Sequence, residues 1–387
     1  MFYKTIDLFA GIGGIRRGFE LTGRFKNVLS AEIDKYACET YRHIFNEDPY
    51  NDVTSNEFKM KVKNTSYDIL LGGFPCQSFS IAGKKEGFKN KISGTLFYDI
   101  AEILEETRPK AFLLENVEGL IRHDKGQTFS IILETLVKEL NYKVVGVSEN
   151  PITDELIYNP KDFIFNSKDF GIPQNRPRVY IVGFDKYRYG NLNNLSNSDI
   201  LPKSRKENVI YNNLHEVLDY RNDEAFYLSE GYLETLKSHK KRHKGKGNGF
   251  GYIVVNSPEI KHPISNALLA TGGSGKERNL IYDPQNGIGG KIVGSKRTPL
   301  NSEGIRVMTP TEWGRLQGFI GYGFMKEGID YFSFPERMSN AQKYKQFGNS
   351  VTVPVVEALA NEMVMILDKL NINNDQTIQK RSIVMTR

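Results

Sequence analysis

Two residues of this chain have types and settings that would let them act together on one substrate. Cys76 lies in Gly72-Gly73-Phe74-Pro75-Cys76-Gln77-Ser78-Phe79-Ser80, directly after the β-rich run Tyr67–Leu71. Two glycines and a proline fix an unusual loop path, which predicts a thiol that is presented rather than buried. A thiolate becomes a usable nucleophile when backbone N–H groups or nearby cations lower its pKa. Arg176 and Arg178, in Pro173-Gln174-Asn175-Arg176-Pro177-Arg178, are candidate cations if that segment folds over the same edge. Glu115 closes the apolar run Ala111–Leu114. An acid there is costly to bury unless it works or is paired, and pairing with an arginine is its structural alternative. The other cysteine, Cys38, falls on the apolar face of a predicted helix and reads as a small core residue.

A second constellation opens the chain. Asp7-Leu8-Phe9-Ala10-Gly11-Ile12-Gly13-Gly14 reads as a strand end, a glycine turn and a helix start. Glycines let the backbone approach a ligand, and a helix N-terminus favours negative charge. Such a turn serves several nucleotide-type cofactors, so by itself it selects none. Glu32, in Ala31-Glu32-Ile33-Asp34, falls at the carboxyl edge of the second predicted strand. There it can accept hydrogen bonds from both hydroxyls of a ribose.

The elements that must position these groups alternate. Predicted strands are Lys4–Phe9, Asn27–Glu32, Tyr67–Leu71, Ala111–Glu115 and Tyr142–Val147, with extensions near Asp162–Phe165 and Val179–Val182. Predicted helices are Gly14–Leu21, Lys35–Ile44, Leu96–Glu106 and Thr128–Leu140. This rhythm predicts a doubly wound α/β fold, mostly parallel, whose ligands sit beyond the carboxyl ends of the strands. After Asp185 the chain turns rich in Asn, Ser, Gly and Lys, with no long helical period expected until Thr309. That stretch predicts a smaller, loop- and β-rich second domain. A helix capped by Thr309 or Thr311 should cover Thr309–Gln317, and a final one Val353–Leu370, followed by a mobile polar tail from Asn371. The expected division is 1–190 with 342–387, and 191–341.

The apolar fraction, 39%, excludes a disordered chain. Apolar runs such as Ala111–Leu114 and Val179–Val182 are far too short to cross a bilayer. A strand-like run from Lys4 predicts no signal peptide. Two cysteines cannot build a disulfide framework or a zinc cage, which points to a reducing, cytoplasmic compartment. The net charge is +6, and Asn191–Pro310 holds 17 basic against 12 acidic residues. Within it Lys237, Lys240, Lys241, Arg242, Lys244 and Lys246 run without an acid between them. Such a run can bind phosphates through counterion release, or be an ordinary solvated loop.

Six motifs in order carry a resemblance. Asp7–Gly14, Phe74–Ser80, Glu115-Asn116-Val117, Gln174–Arg178, Arg315-Leu316-Gln317-Gly318-Phe319 and Gly348-Asn349-Ser350-Val351 together resemble the DNA cytosine-C5 methyltransferases. The likeness runs from residue 4 to about 370. It implies a Rossmann-like class I methyltransferase fold with a target-recognition domain, a cofactor S-adenosylmethionine leaving as S-adenosylhomocysteine, and duplex DNA as substrate. It implies that Cys76 adds to cytosine C6, that Glu115 holds N3 and the exocyclic amine, and that Arg176 and Arg178 contact the base and the nucleophile loop. Phe9, Gly11, Ile12, Gly13 and Ile33 would line the cofactor, with Glu32 on the ribose and Asp52 on the adenine amine. A glycine usually precedes that last acid; here it is Asn51. Pro75, Leu96, Asn349 and Val351 would complete the pocket. Gln77 and Ser80 would touch DNA beside the flipped base. Lys241, Arg242, Lys276 and Arg278 are further DNA candidates, reading bases or holding phosphates.

The chemistry explains the set. Cytosine C5 is a poor nucleophile until a thiolate adds at C6 and makes it an enamine carbon. Glu115 should be protonated as charge develops at N3, a state that burial favours. The methyl donor is activated by its own positive sulfur, so no metal is expected. The base must leave the helix to be reached. A compact chain of this kind resembles prokaryotic enzymes that protect DNA from a partner endonuclease, and a cytoplasmic, nucleoid-associated monomer is expected. Three rivals remain. A tRNA cytosine methyltransferase of the same family usually carries a second cysteine in a Cys-Phe-Thr motif, and only Cys38 and Cys76 are present. A non-catalytic DNA-binding relative would have lost the nucleophile, the acid or the glycines. A generic dehydrogenase explains neither Cys76 nor Glu115.

Overall fold

A computed structural model describes residues 2–75, 96–190, 192, 195, 209–220, 223–247, 251–270 and 276–385, with side chains up to 372 and without that of Lys276. The chain falls into two compact units, one of residues 1–165, 177–204 and 355–387, the other of 166–176 and 205–354. Compared with the expected division, residues 166–176 and 342–354 belong to the second unit and residues 191–204 to the first.

The first unit begins with strand β1 (Tyr3–Leu8), helix α1 (Gly14–Leu21), β2 (Phe25–Ala31), α2 (Lys35–Phe45) and α3 (Asn56–Lys63). It continues with β3 (Ile69–Gly73), α4 (Leu96–Thr107), β4 (Ala111–Val117), α5 (Gln127–Glu134) and β5 (Tyr142–Val144). A small hairpin, β6 (Ser148–Glu149) with β7 (Leu156–Ile157), precedes β8 (Ile164–Asn166). Two-residue β9 (Gln174–Asn175) lies in the second unit and leads into β10 (Pro177–Asp185), followed by the short α6 (Lys186–Tyr189). The main sheet has seven strands in the order β2-β1-β3-β4-β10-β5, with β8 on β10. Pairs among β2, β1, β3 and β4 are parallel, while β10 runs antiparallel to both neighbours. The expected mostly parallel α/β fold is observed, with one reversed strand.

Periodicity explains these elements. Strands buried on both faces read as continuous apolar runs, as in Ile69–Leu71 and Ala111–Leu114, all fully buried. Phe97, Ile100, Ala101 and Leu104 place the apolar face of α4 in the same core cluster. The last helix, α10 (Val353–Met385), buries Val356, Leu359, Met363 and Leu367. It is long and apolar enough to span a bilayer by length and composition, but that burial marks the helix of a core. Its helical backbone continues past the expected end at Leu370, so the tail from Asn371 is not coil as far as Met385.

The second unit contains α7 (Glu230–Gly245), β11 (Ser265–Asn266), β12 (Leu280–Tyr282), β13 (Ile305–Val307), α8 (Pro310–Leu316) and α9 (Asn340–Asn349). β9 pairs with β11, and β12 with β13. Thr309 caps α8 in a full capping box with Glu312. One expectation fails here. The basic run from Lys237 is the end of a 16-residue helix, not a loop. Its only buried side chain is Leu233, so there was no apolar stripe to find. The helices α3 and α9 were also unforeseen, because they are short and polar.

Candidate functional site

The glycine turn and Glu32 form one hydrogen-bonded unit at the carboxyl edge of β1 and β2. One Glu32 oxygen accepts from Gly11 N at 2.8 Å; the other accepts from Ile33 N at 2.8 Å and Asp34 N at 2.7 Å. Three backbone donors therefore aim the carboxylate before any ligand arrives, and the oxygen facing Gly11 keeps further acceptor capacity for a ribose hydroxyl. Phe9, Gly11 and Gly13 all have positive φ, of 56°, 55° and 77°. At Gly13 a Cβ would lie 2.3 Å from the Phe45 ring, so only glycine allows α1 to start this close to α2. Ile12 is buried and Ile33 is 64% exposed, so of these two Ile33 offers an open apolar surface beside Glu32.

The chain then passes this edge again. Glu32 N donates to Pro49 O, and Asn51 N to Glu32 O, which puts Asp52 on the same rim. Asp52 Oδ1 accepts from the backbone N and hydroxyl of Thr54. Below the turn, Asp7 is fully buried and neither carboxylate oxygen makes a hydrogen bond among the described residues. Burial pushes its carboxyl up to about 7, against the pull of the Arg16 guanidinium. Cys38 is a core residue as expected: it is buried, its Sγ donates to Glu32 O, and burial raises its thiol to about 12.

A second cluster forms where β3 and β4 end and β10 begins. Tyr180 of β10 pairs with Glu115 of β4, and Arg178 with Val117. This register brings Arg178 Nε to 3.4 Å from Glu115 Oε1, both side chains about seven-eighths buried. Gly73 of β3 passes close to the acid: a Cβ there would stand 3.4 Å from Glu115 Oε2, an ordinary contact distance. Asn116 Nδ2 donates to Phe74 O at 2.9 Å and so ties down the stem that leads to Cys76. Sequence reasoning gave Asn116 no role; its signal was a polar side chain directly after a buried strand acid. Pro75 is exposed and Leu96 half-buried at the head of α4. Cys76, Gln77 and Ser80 lie outside the described residues.

Arg176 belongs to the second unit and does not share the Arg178 cluster. Its buried guanidinium donates to three carbonyls: Leu268 at 2.6 Å, Gly348 at 2.8 Å and Ser350 at 2.6 Å. Asn349 is exposed at the end of α9, and Val351 is buried. Lys241 and Arg242 are exposed on α7, and Arg278 is exposed beside β12. Of Lys276 only the backbone is described.

The first unit thus gathers a glycine turn, a backbone-aimed acid and a buried Glu–Arg pair at the edge of one α/β sheet. A family model for C-5 cytosine-specific DNA methylase matches residues 3–365. The chain is 42% identical over 375 residues to Type II methyltransferase M.HpaII of Haemophilus parainfluenzae, covering 95% of this chain and 90% of that one. It is 38% identical to Type II methyltransferase M1.ScrFI of Lactococcus lactis subsp. cremoris, covering 95% and 79%. In structure it is similar to a DNMT2 mutant of Spodoptera frugiperda, with a TM-score of 0.63, 19% identity and coverage of 94% and 99%. The chain belongs to the C-5 cytosine-specific DNA methylase family.

Proposed function

We propose that this protein transfers a methyl group from S-adenosylmethionine to carbon 5 of a cytosine flipped out of duplex DNA, at a specific site, within a restriction-modification system. The observation that carries the reading is the Glu115–Arg178 pair standing beside the stem of the Cys76 loop. Glu32, the glycine turn and Ile33 fit an adenosine: a pre-aimed carboxylate for ribose, backbone that tolerates close approach, and an apolar surface for the base. Asp52 would take the adenine amine, and Phe9, Ile12, Pro75, Leu96, Asn349 and Val351 the rest of the cofactor. When bound, the cofactor supplies a methyl group on a positively charged sulfur.

The chain's own residues do the remainder. The Cys76 thiolate adds to C6, and the ring's C5=C6 electrons move toward N3, where Glu115 donates a proton. The enamine carbon C5 is then the nucleophile for the methyl group that a cofactor held at the glycine turn and Glu32 would supply, and that cofactor would keep the bonding pair. Loss of the C5 proton to a base expels the thiolate, and return of the N3 proton to Glu115 restores the neutral ring and the acid. Arg178 holds Glu115 in register with the base throughout. Exposed Lys241, Arg242 and Arg278, with Lys276, Gln77 and Ser80, would hold the duplex. The proposal includes a cytoplasmic monomer working beside a cognate endonuclease.

The test is transfer of radiolabelled methyl from S-adenosylmethionine to unmethylated duplex DNA, with tRNA as a parallel acceptor. Label in DNA alone is expected, and bisulfite sequencing then reads the site. Label only in tRNA would overturn the substrate, and label in neither would overturn the activity.

A further inference from the structure

Helix α7 carries two histidines that no part of the proposed function uses. His239 and His243 are four residues apart, so they stand one above the other on one helical face. Their rings meet, with centroids 4.3 Å apart and planes inclined at 46°. Both residues are half-buried. Nδ1 of His243 is buried, which leaves Nε2 as the ligand atom of that ring. Two imidazoles at this spacing on a helix can hold one zinc-like ion between them.

The charges around the pair select among cations. Lys237 Nζ lies 2.6 Å from Glu234 Oε1 and also pairs with Glu303, so this ammonium is drawn to those carboxylates. Lys240 Nζ lies over the Tyr252 ring, 4.6 Å from its centroid. Desolvation first, and then the charges of His239, Lys246 and Arg242, lower the pKa of His243. That ring is therefore neutral just above neutral pH, and neutral imidazole is the form that ligates. The same positive surroundings oppose Mg2+ and Ca2+, which need carboxylate and carbonyl oxygens. Cu2+, Ni2+ and Zn2+ suit imidazole nitrogen and bind it strongly enough to offset the repulsion.

A second observation shows what such an ion would do. α7 has one buried side chain, Leu233 near its start, and Ser229 makes no side-chain capping bond. Its carboxyl half is therefore held by local interactions, and helices so held are marginal. Lys237 with Lys241, and Lys240 with Lys244, add like charges at a spacing where they repel. A metal bridging His239 and His243 would close one helical turn in that half.

We propose that His239 and His243 form a two-imidazole site for a divalent transition-metal ion, Cu2+, Ni2+ or Zn2+, that staples the carboxyl half of α7. Water completes the coordination shell. The unfolded helix does not hold the two rings together, so binding the ion stabilises the helix. The site takes no part in methyl transfer and stands independently of the proposed function.

The test is calorimetric titration of NiCl2 into the full chain, without an affinity tag, just above neutral pH. The proteins are the wild type, His239→Gln, His243→Gln and His262→Gln. Glutamine favours a helix at least as well as histidine, so the α7 variants keep their fold. The wild type should show a saturable site that is weakened by about a hundredfold in each α7 variant, as when a chelate loses one of two ligands. His262→Gln, whose exposed ring lies outside α7, should bind as the wild type does. Thermal unfolding gives the second reading. NiCl2 should raise Tm in the wild type and His262→Gln and in neither α7 variant, while all four unfold alike in a chelator. Equal Ni2+ affinity in all four proteins would place the ion elsewhere and overturn the site. Loss of binding in only one α7 variant would overturn the shared chelate, and a wild type without saturable binding would overturn both.

Discussion

Arg178 and Glu115 stand 3.4 Å apart because β10 runs antiparallel to β4, which puts the arginine two residues from the partner of the acid. Both side chains are about seven-eighths buried, and a charge buried here is stable only while paired. Arg178→Ala should therefore lower kcat by about a hundredfold or more, with a smaller effect on KM for the cofactor. Steady-state kinetics with the duplex check this. A variant with wild-type kcat would remove Arg178 from the site.

Glu115→Gln keeps the shape and the hydrogen bonds to an amine but cannot lend a proton. The expected loss is about a hundredfold to ten-thousandfold in kcat, with DNA binding retained in a gel-shift assay. Equal turnover by the amide would show that no proton passes through residue 115.

Glu32→Ala removes a carboxylate that accepts from Gly11, Ile33 and Asp34 and is read as the ribose contact. Hydrogen bonds to charged groups contribute about 1.5–3 kcal/mol each, so S-adenosylhomocysteine should bind at least about tenfold more weakly. Calorimetry reads the change directly, and unchanged affinity would place the ribose elsewhere.

Asp7 links stability to pH in an unusual direction. Its carboxyl titrates near 7 when folded and near 3.8 when unfolded. Between those values the folded state holds the extra proton, so this group's contribution is complete below about pH 4 and is lost as pH rises through 7. Asp7→Asn should make thermal unfolding less sensitive to pH between 5 and 8 and raise Tm most at pH 8. A wild-type Tm profile with the same slope as the variant would show that Asp7 is not the group responsible.

How much of this was legible beforehand follows from what each signal depends on. The apolar runs Ile69–Leu71 and Ala111–Leu114, and the start of α1 at Gly14, depend on local periodicity and glycine, and all could be read. The pairing of Arg178 with Glu115 was foreseen only as an alternative, because strand direction decides it and sequence does not show direction. Arg176 and Arg178 look equivalent two residues apart, yet the structure puts them in different units with different partners. Helix α7 was misread as loop because its stability comes from propensity and charge rather than from a buried stripe. Asn116 could not be assigned a role, since its partner is a backbone carbonyl 42 residues away.

The central claim is that Cys76 bonds to the cytosine ring while Glu115 and Arg178 manage its charge. The most direct measurement is capture on a duplex whose target cytosine carries fluorine at C5, since fluorine cannot leave as a proton does and the ring cannot be restored. With S-adenosylmethionine present, a protein–DNA adduct that survives denaturing electrophoresis should form, with mass spectrometry placing the link on Cys76. The adduct should vanish in Cys76→Ala. An adduct at another residue, or methyl transfer with no trapped species at all, would contradict the account.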